Sequence, residues 1–316
     1  MSLKTKEVAK PAAKPTIRVR HLPAIKPGKY VDGLPYDEIR YLECKLILKP
    51  NHFTSRQSLF DFCKVLSRPA KATGVIFDPV TFTERPLAIR EVLFVDTHDF
   101  RLYNNAFILR RRIPYQDGFP IGTPEIVFKF RHTDPQKTAE LDMRPHISGD
   151  YRIKFKAEAL PLKDGLGGMR MLYSHNVEFH MESAIMSDRM SMDRIAQALP
   201  ALQSIQWEKD ERAELVGGMI VEEVLQDIGV LDFGNRMTAM CNVALWRSRG
   251  DHSPLIGEFA FQLKFRRREE LTDEALGRCE AFFLALQAEA RDWIQLGATK
   301  TGVVYRLKGN PPHAHE

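Results

Sequence analysis

Apolar and polar residues alternate with a period of two along much of the chain, which is the pattern of strands with one buried face. The most regular alternation, at residues 151–158, places four charged residues on one face: Arg152, Lys154, Lys156 and Glu158. The same period predicts strands at residues 40–49, 90–97, 107–113, 126–131, 176–182, 238–246 and 258–265. Residues 300–305 are predicted to form a short edge strand.

Apolar residues at steps of three and four predict a few helices between these strands. One helix is expected to begin after Thr54 or Ser55 and to end near Pro69 and Gly74. A longer helix is expected to begin at Thr272, a favourable N-cap residue. Residues 190–199 and 219–228 show the same apolar spacing and are also predicted as helices.

Strands with one polar face, combined with helices that can cover their apolar faces, indicate the α+β class. A closed or nearly closed antiparallel β-barrel of about eight strands suits this pattern, because closure removes strand edges and turns the polar faces into a lumen. The helices are then expected on the outside. We expect a barrel domain at residues 38–309, a flexible basic arm at 1–37 and a loose tail at 310–316, with 160–220 as an insertion or a cap.

Composition narrows the class of protein without naming a function. With 316 residues and 44% hydrophobic content, the chain can bury a large core, and its net charge of +5 is mild. Its four cysteines include no C-x-x-C pair, which disfavours a zinc ribbon or a disulfide scaffold and predicts a reducing compartment. Because the chain has neither an apolar run of roughly 20 residues nor a signal peptide's apolar core, we expect a cytoplasmic protein without membrane spans.

Positive charge is concentrated on two consecutive predicted strands. Arg110 and Arg112 share one face of the strand at 107–113, and Lys129 and Arg131 share one face of the strand at 126–131. Such a cationic face predicts a polyanion as ligand. Nucleic acid is the less favoured polyanion, since the basic strands lack interleaved exposed aromatic residues for base stacking.

The order of these motifs resembles that of the triphosphate tunnel metalloenzymes, also called the CYTH superfamily. Glu43-Cys-Lys45 is similar to the second half of the family's E-x-E-x-K strand, and Leu109-Arg-Arg-Arg112 is similar to its L-R-x-R strand. Phe94-Val-Asp-Thr97 resembles its F-D-T strand, although Asp96 alone predicts a turn cap. Residues 129–131 resemble the family's basic strand, and residues 152–158 resemble its R-x-E-x-E strand. Arg236 is the counterpart of a later arginine, and residues 258–264 are the counterpart of the last carboxylate strand.

The resemblance implies a tunnel that binds a triphosphate or polyphosphate and hydrolyses its terminal phosphoanhydride with Mg²⁺ or Mn²⁺. It implies that the catalytic phosphate ligands are Lys45, Arg110 and Arg112. The other residues expected to bind substrate are Lys129, Arg131, Lys154, Lys156, Arg236 and Lys264. The expected metal ligands are Glu43, Glu158 and Glu258, with Glu178 and Glu182 as substitutes.

The chain departs from the family pattern at its carboxylates. Tyr41 stands where the first motif has a Glu, and Lys156 replaces a Glu of the R-x-E-x-E strand. Since divalent ions prefer several charged oxygens, these departures should weaken metal binding and leave polyanion binding intact. Two alternatives to the hydrolase therefore stay open: a non-catalytic polyphosphate or nucleotide sensor with a degraded metal site, and adenylate cyclase-like activity. The sequence selects neither a nucleobase nor an oligomeric state.

Overall fold

The computed structural model describes residues 22–81, 83–181 and 190–307. Most of the predicted basic arm, the candidate ligand Glu182 and the predicted tail lie outside the described residues. No helix in the described ranges is long and apolar enough to cross a membrane.

Twelve strands and six helices alternate along the described residues. The strands are β1 (Tyr41–Leu48), β2 (Ile76–Pro79), β3 (Ala88–Asp96), β4 (Phe107–Gln116), β5 (Phe119–Pro120), β6 (Glu125–His132), β7 (Tyr151–Pro161), β8 (Met169–His180), β9 (Glu214–Leu215), β10 (Val221–Asp232), β11 (Thr238–Ser248) and β12 (Pro254–Lys264). The helices are α1 (Arg56–Ala72), α2 (Arg101–Asn104), α3 (Pro135–Glu140), α4 (Met192–Ala198), α5 (Asp273–Glu289) and α6 (Lys300–Tyr305).

Nine of the strands described form a closed barrel in the order β10-β11-β12-β1-β7-β8-β6-β4-β3. The barrel closes where Val221–Leu225 of β10 pair with Ala88–Val92 of β3. The short strands β2, β5 and β9 extend the sheet at its margins. The predicted α+β class, the closed barrel and the external helices are therefore confirmed.

The barrel is mixed, whereas the sequence predicted an antiparallel one. Strand β1 pairs in parallel with β7, and the neighbouring pairs in the barrel are antiparallel. Alternation along a strand predicts which side chains share a face, but it carries no information about the direction of the strand beside it. The range 160–220, expected as an insertion or a cap, contributes β8 to the barrel wall.

Two predicted elements have the wrong type. Residues 219–228 were expected to form a helix, because Val221, Val224, Leu225 and Ile228 match the helical spacing i, i+3, i+4, i+7. Residues 221–228 belong to strand β10, in which Val224 and Ile228 pack outside the barrel and Val221 packs inside it. A strand with apolar residues on both faces imitates the helical period.

Residues 300–305 form helix α6 instead of the predicted edge strand. The Thr299 hydroxyl accepts a hydrogen bond from the backbone N–H of Gly302 (3.0 Å), which caps the first turn. The β-branched Val303 and Val304 favoured a strand, but the cap and tertiary packing outweigh this preference.

The main core lies between the outer face of the barrel and helices α1 and α5. The predicted cap residues are confirmed, since Ser55 accepts a hydrogen bond from Ser58 N–H and Thr272 accepts one from Ala275 N–H. The apolar face predicted for the first strand lies in this core. Its principal members are Leu42, Cys44, Leu46, Phe62, Phe259, Phe261, Phe282 and Phe283.

A separate apolar cluster fills one end of the barrel interior. Val304 and Tyr305 of α6 pack there against side chains from several barrel strands: Ile47, Val92, Phe94, Ile108, Val221, Trp246 and Ile256. Thr299, Lys300 and Thr301 line the cavity beside this cluster. The lumen is therefore a cup whose floor includes the start of α6.

Gly229 of β10 packs closely against the neighbouring strand β2. A Cβ on Gly229 would lie 2.6 Å from the carbonyl oxygen of Asp78 and 2.4 Å from the ring of Phe77. We expect Gly229→Ala to lower the free energy of unfolding by about 1–3 kcal/mol, because β2 must move away from β10. Chemical denaturation followed by circular dichroism measures this loss.

Gly277 provides the matched control, since it lies inside α5 and a Cβ there would meet no atom within 4 Å. Gly277→Ala should leave stability unchanged or raise it by about 0.5–1 kcal/mol through helix propensity. Equal effects of the two substitutions would contradict the packing argument.

Candidate functional site

The barrel encloses a polar cavity of about 400 Å³. Among the described residues that line it, ten are basic and six are acidic. The basic residues are Lys45, Arg90, Arg110, Arg112, Lys129, Arg131, Arg152, Lys154, Lys156 and Lys300. The acidic residues are Glu43, Glu125, Glu158, Glu178, Glu223 and Glu258. The lining described thus has an excess of four positive charges.

Strand alternation and register explain how residues that are distant in sequence meet here. On β1 the residues 43, 45 and 47 point inward, while Leu42, Cys44 and Leu46 pack outward. The parallel pairing of β1 and β7 places Glu43 opposite Glu158, and Tyr41 opposite Lys156. Opposed residues in a sheet point to the same face, so each such pair lies side by side on the inner wall.

Ten of the twelve residues predicted for the site line the cavity: Glu43, Lys45, Arg110, Arg112, Lys129, Arg131, Lys154, Lys156, Glu158 and Glu258. Arg236 does not, because it is exposed in the turn between β10 and β11, with φ +64°. Lys264 is exposed at the end of β12, where its Nζ lies 6.0 Å from the centre of the Tyr41 ring. Lys264 therefore lies at the rim.

Glu158 is the most enclosed charge in the cavity, with a side chain that is 2% exposed. Its Oε1 accepts hydrogen bonds from Lys129 Nζ (2.6 Å) and Ser174 Oγ (2.6 Å). Its Oε2 lies 3.3 Å from Lys45 Nζ and 3.6 Å from Arg131 Nε. Burial alone would raise the pKa of Glu158, but Lys129, Lys45 and Arg131 together hold it well below its usual range.

Glu43 shares this cluster of charges. Its Oε2 lies 2.9 Å from Lys45 Nζ and 3.5 Å from Lys156 Nζ, and Lys156 also donates to Gln262 Oε1 at 2.8 Å. Burial opposes ionisation of Glu43, but Lys156 and Lys45 outweigh it and lower its pKa to about 2. Burial likewise opposes protonation of Lys45, and Glu158 and Glu43 nevertheless raise its pKa. Lys45 is thus a charged ammonium between two carboxylates.

A second cluster of charges lies at the floor of the cavity. Glu223 accepts hydrogen bonds from Trp246 Nε1 (2.8 Å), Lys300 Nζ (3.2 Å) and Arg90 Nε (2.7 Å). Lys300 also lies 2.7 Å from Glu258 and 4.8 Å from the centre of the Trp246 ring. Lys300 therefore connects α6 to the barrel strands β10 and β12.

At the open side, Glu178 lies 2.8 Å from Lys154 and accepts a 2.5 Å hydrogen bond from Arg152, whose side chain is 62% exposed. Burial would raise the pKa of Glu178, and Lys154 and Arg152 lower it to about 2. Arg112 forms an ion pair with Glu125 on the neighbouring strand. These pairs surround the entrance with ionised groups.

Arg110 differs from these cations. No acidic side chain in the described ranges lies within ion-pair distance of it, and its buried Nε has no hydrogen-bond partner among the described atoms. Burial and the neighbouring Arg112 lower the pKa of Arg110 to about 9. A guanidinium that is enclosed without a counter-ion is prepared to receive an anion.

Five charged lining residues were not among the residues predicted for the site. Arg152 is one of them, although the sequence placed it on the charged face of its strand. Glu223 and Lys300 lie in the two elements whose type was wrongly predicted. Glu125 begins β6 one residue before the predicted strand, and Arg90 is the first charged residue of β3 on its inner face. The alternation Arg90, Val92, Phe94 was present in the sequence and could have identified Arg90.

Asp96 caps a turn, as predicted. It accepts hydrogen bonds of 2.7–3.0 Å from the backbone N–H groups of Thr97, Leu102 and Tyr103, the last two of which belong to α2.

The carboxylates do not fit a divalent metal ion in their present arrangement. Within the part of the chain that the structure describes, no three His, Cys, Asp or Glu side chains are grouped to hold a metal. Glu43 and Glu158 are joined by Lys45, and Glu258 is bound to Lys300. The oxygens that Mg²⁺ or Mn²⁺ would require are thus engaged by ammonium groups.

No family model matches this chain, and neither does any curated protein sequence. Solved structures do match it. The Hippeastrum protein HpAC1, described as an adenylyl cyclase candidate with dominant triphosphatase activity, is 14% identical, covers 88% of this chain and 100% of its own, and has a TM-score of 0.41. A protein from Bacillus halodurans described as an adenylate cyclase candidate is 11% identical and covers 83% of this chain and 95% of its own, with a TM-score of 0.36.

The protein PH1819 from Pyrococcus horikoshii is 10% identical, covers 83% of this chain and 96% of its own, and has a TM-score of 0.33. The function of this chain therefore rests on the residues of its own cavity.

We expect Glu158→Gln to lower the free energy of unfolding by about 3 kcal/mol near neutral pH, because three cations lose their buried counter-ion. The pKa of Glu158 is depressed in the folded state, so its contribution is present above the unfolded-state value and is lost as pH falls toward the folded one. The difference between wild type and variant, measured by urea denaturation, should therefore shrink below about pH 4.

Glu214→Gln is the control, because Glu214 is an exposed carboxylate that pairs with the exposed His98. That substitution should change stability by less than about 0.5 kcal/mol. Addition of inorganic phosphate should stabilise Glu158→Gln more than wild type, since the anion replaces the missing charge. Equal stability of Glu158→Gln and wild type at neutral pH would contradict the assigned role.

Proposed function

We propose that the barrel cavity binds a short linear phosphate chain, either inorganic triphosphate or the triphosphate group of a nucleotide. The observation that carries this proposal is Arg110, an enclosed guanidinium without a carboxylate partner among the described residues, in a lining where basic groups outnumber acidic ones. A polyanion would satisfy Arg110 and neutralise the excess charge.

The chemistry of the lining suits phosphate. The planar forks of Arg110, Arg112 and Arg131 can each donate two parallel hydrogen bonds to one phosphate group, while Lys45 and Lys129 supply point charges. Their distribution over β1, β4 and β6 surrounds a ligand from several sides. In a cavity shielded from water, attraction between unit charges at 4 Å reaches about 4 kcal/mol, compared with about 1 kcal/mol in bulk water.

The carboxylates have a stabilising role in this proposal. The ten cations of the lining would repel each other without counter-ions, and the glutamates hold them in place while the cavity contains no ligand. A phosphate chain can then replace these glutamates as the partner of Lys129, Lys154 and Lys156. Exchange of existing partners costs less than bringing fully hydrated cations into an enclosed space.

Hydrolysis with Mg²⁺ or Mn²⁺, or cyclisation of a nucleotide, is implied by the motif resemblance. Either reaction would require carboxylate oxygens that Lys45, Lys129 and Lys300 now engage. We therefore propose binding as the function that the geometry supports best. Turnover is an additional outcome of the experiment that tests binding.

The test is titration calorimetry with inorganic triphosphate in a buffer that contains a chelator. Wild type should bind, and Arg110→Ala should weaken binding at least 30-fold, because the loss of charge-assisted hydrogen bonds costs about 2–3 kcal/mol. Arg110→Lys should give an intermediate affinity, since it keeps the charge and loses the fork. Arg236→Ala is the control and should bind as wild type does, because Arg236 is exposed outside the cavity.

Phosphate release from triphosphate, ATP and short polyphosphate is measured in parallel with Mg²⁺, with Mn²⁺ and with chelator. Metal-dependent release that Arg110→Ala abolishes would extend the proposal from binding to hydrolysis. An Arg110→Ala variant that binds triphosphate as tightly as wild type would refute the assignment of the cavity.

A further inference from the structure

We infer that Lys45 occupies the position where a divalent ion would bridge Glu43 and Glu158, so that the cavity accepts its phosphate chain as the free anion and not as a metal chelate. This inference rests on the proposed function and specifies the ionic form of the ligand.

The first observation is the position of the Lys45 ammonium. Its Nζ lies 2.9 Å from Glu43 Oε2 and 3.3 Å from Glu158 Oε2, and its side chain is 13% exposed. The parallel register of β1 and β7 holds the two carboxylates side by side. Lys45 is two residues from Glu43 and on the same face, so the backbone presents its ammonium to both carboxylates.

The second observation is that Glu158 has no oxygen left for a metal without losing an existing contact. Lys129 and Ser174 donate to its Oε1, and Lys45 and Arg131 lie against its Oε2. A divalent ion at this carboxylate would have to displace an ammonium group and then remain among the other cations. Repulsion between these enclosed charges opposes that exchange.

The third observation concerns the positions that flank the two carboxylates. Tyr41 precedes Glu43 by two residues on the inner face, and Lys156 precedes Glu158 by two residues on the neighbouring strand. Tyr41 and Lys156 are opposed in the sheet, with the Lys156 Nζ 5.8 Å from the centre of the Tyr41 ring. Two positions beside these carboxylates therefore hold a neutral ring and a cation instead of further carboxylates.

Metal ions in solution should consequently compete with the protein for the phosphate chain. Mg²⁺ binds phosphate oxygens and lowers the charge of the chain, which weakens its attraction to Lys45, Lys129 and Arg110. A site that supplies its own cations gains nothing from the chelated ion.

The first experiment compares triphosphate binding by calorimetry in chelator and in millimolar MgCl₂. We expect wild type to bind triphosphate in chelator and to bind it with an affinity at least threefold lower in MgCl₂. In chelator, Lys45→Gln should bind triphosphate at least tenfold more weakly than wild type does. Binding that requires Mg²⁺ or Mn²⁺ would overturn this inference and leave the proposed function intact. Absence of triphosphate binding under both conditions would overturn the proposed function and the inference together.

The second experiment titrates Mn²⁺ into the protein without phosphate and follows free Mn²⁺ by electron paramagnetic resonance. Wild type should show no stoichiometric Mn²⁺ site. The double variant Tyr41→Glu, Lys156→Glu should acquire one, because it places four carboxylates side by side on β1 and β7. A stoichiometric site in wild type that Glu158→Gln removes would show that the metal displaces Lys45, and would overturn the inference independently of any ligand.

Discussion

Charge balance inside the closed barrel governs how its lumen is built. Alternation directs ten cations and six carboxylates of the described strands and of α6 into one lumen, where water cannot screen them fully. Several glutamates therefore contact more than one cation, and Glu158 contacts Lys45, Lys129 and Arg131. The ionic network therefore contributes to the stability of the fold and also forms the wall of the cavity.

The closed floor of the cavity strengthens these ionic interactions. Helix α6 packs Val304 and Tyr305 into the apolar end of the barrel and places Lys300 between Glu223 and Glu258. The apolar cluster excludes water from one end, which strengthens the electrostatic interactions of the charged groups beside it. At the other end Arg152 is largely exposed, so the environment changes from wet to enclosed along the cavity. A phosphate chain that enters would meet exposed cations first and enclosed cations later.

Arg110 shows why the pairing of charges matters more than their number. Its neighbours have carboxylate partners: Arg112 has Glu125, Lys154 has Glu178 and Lys45 has two. An enclosed cation without such a partner among the described residues represents free energy that a ligand can recover. The same consideration distinguishes the carboxylates, which are engaged by lysines and arginines and so are poor candidates for metal ligands. Arg110 is thus available to a ligand, whereas the paired carboxylates are not.

The class of the fold and the inner faces of most strands follow from the sequence, because side-chain alternation is a local property of a strand. For the same reason, ten of the twelve residues expected in the site line the cavity. Arg236 and Lys264 lie outside the lining, because their positions depend on where a strand ends and turns. The tertiary structure alone decided that β1 and β7 run in parallel, that residues 221–232 form a strand buried on both faces, and that residues 300–305 fold back as a closing helix. It also decided which charge meets which. Glu43 and Glu158 are 115 residues apart in the chain, and a register formed between distant strands places Lys45 between their carboxylates. No local pattern carries that information.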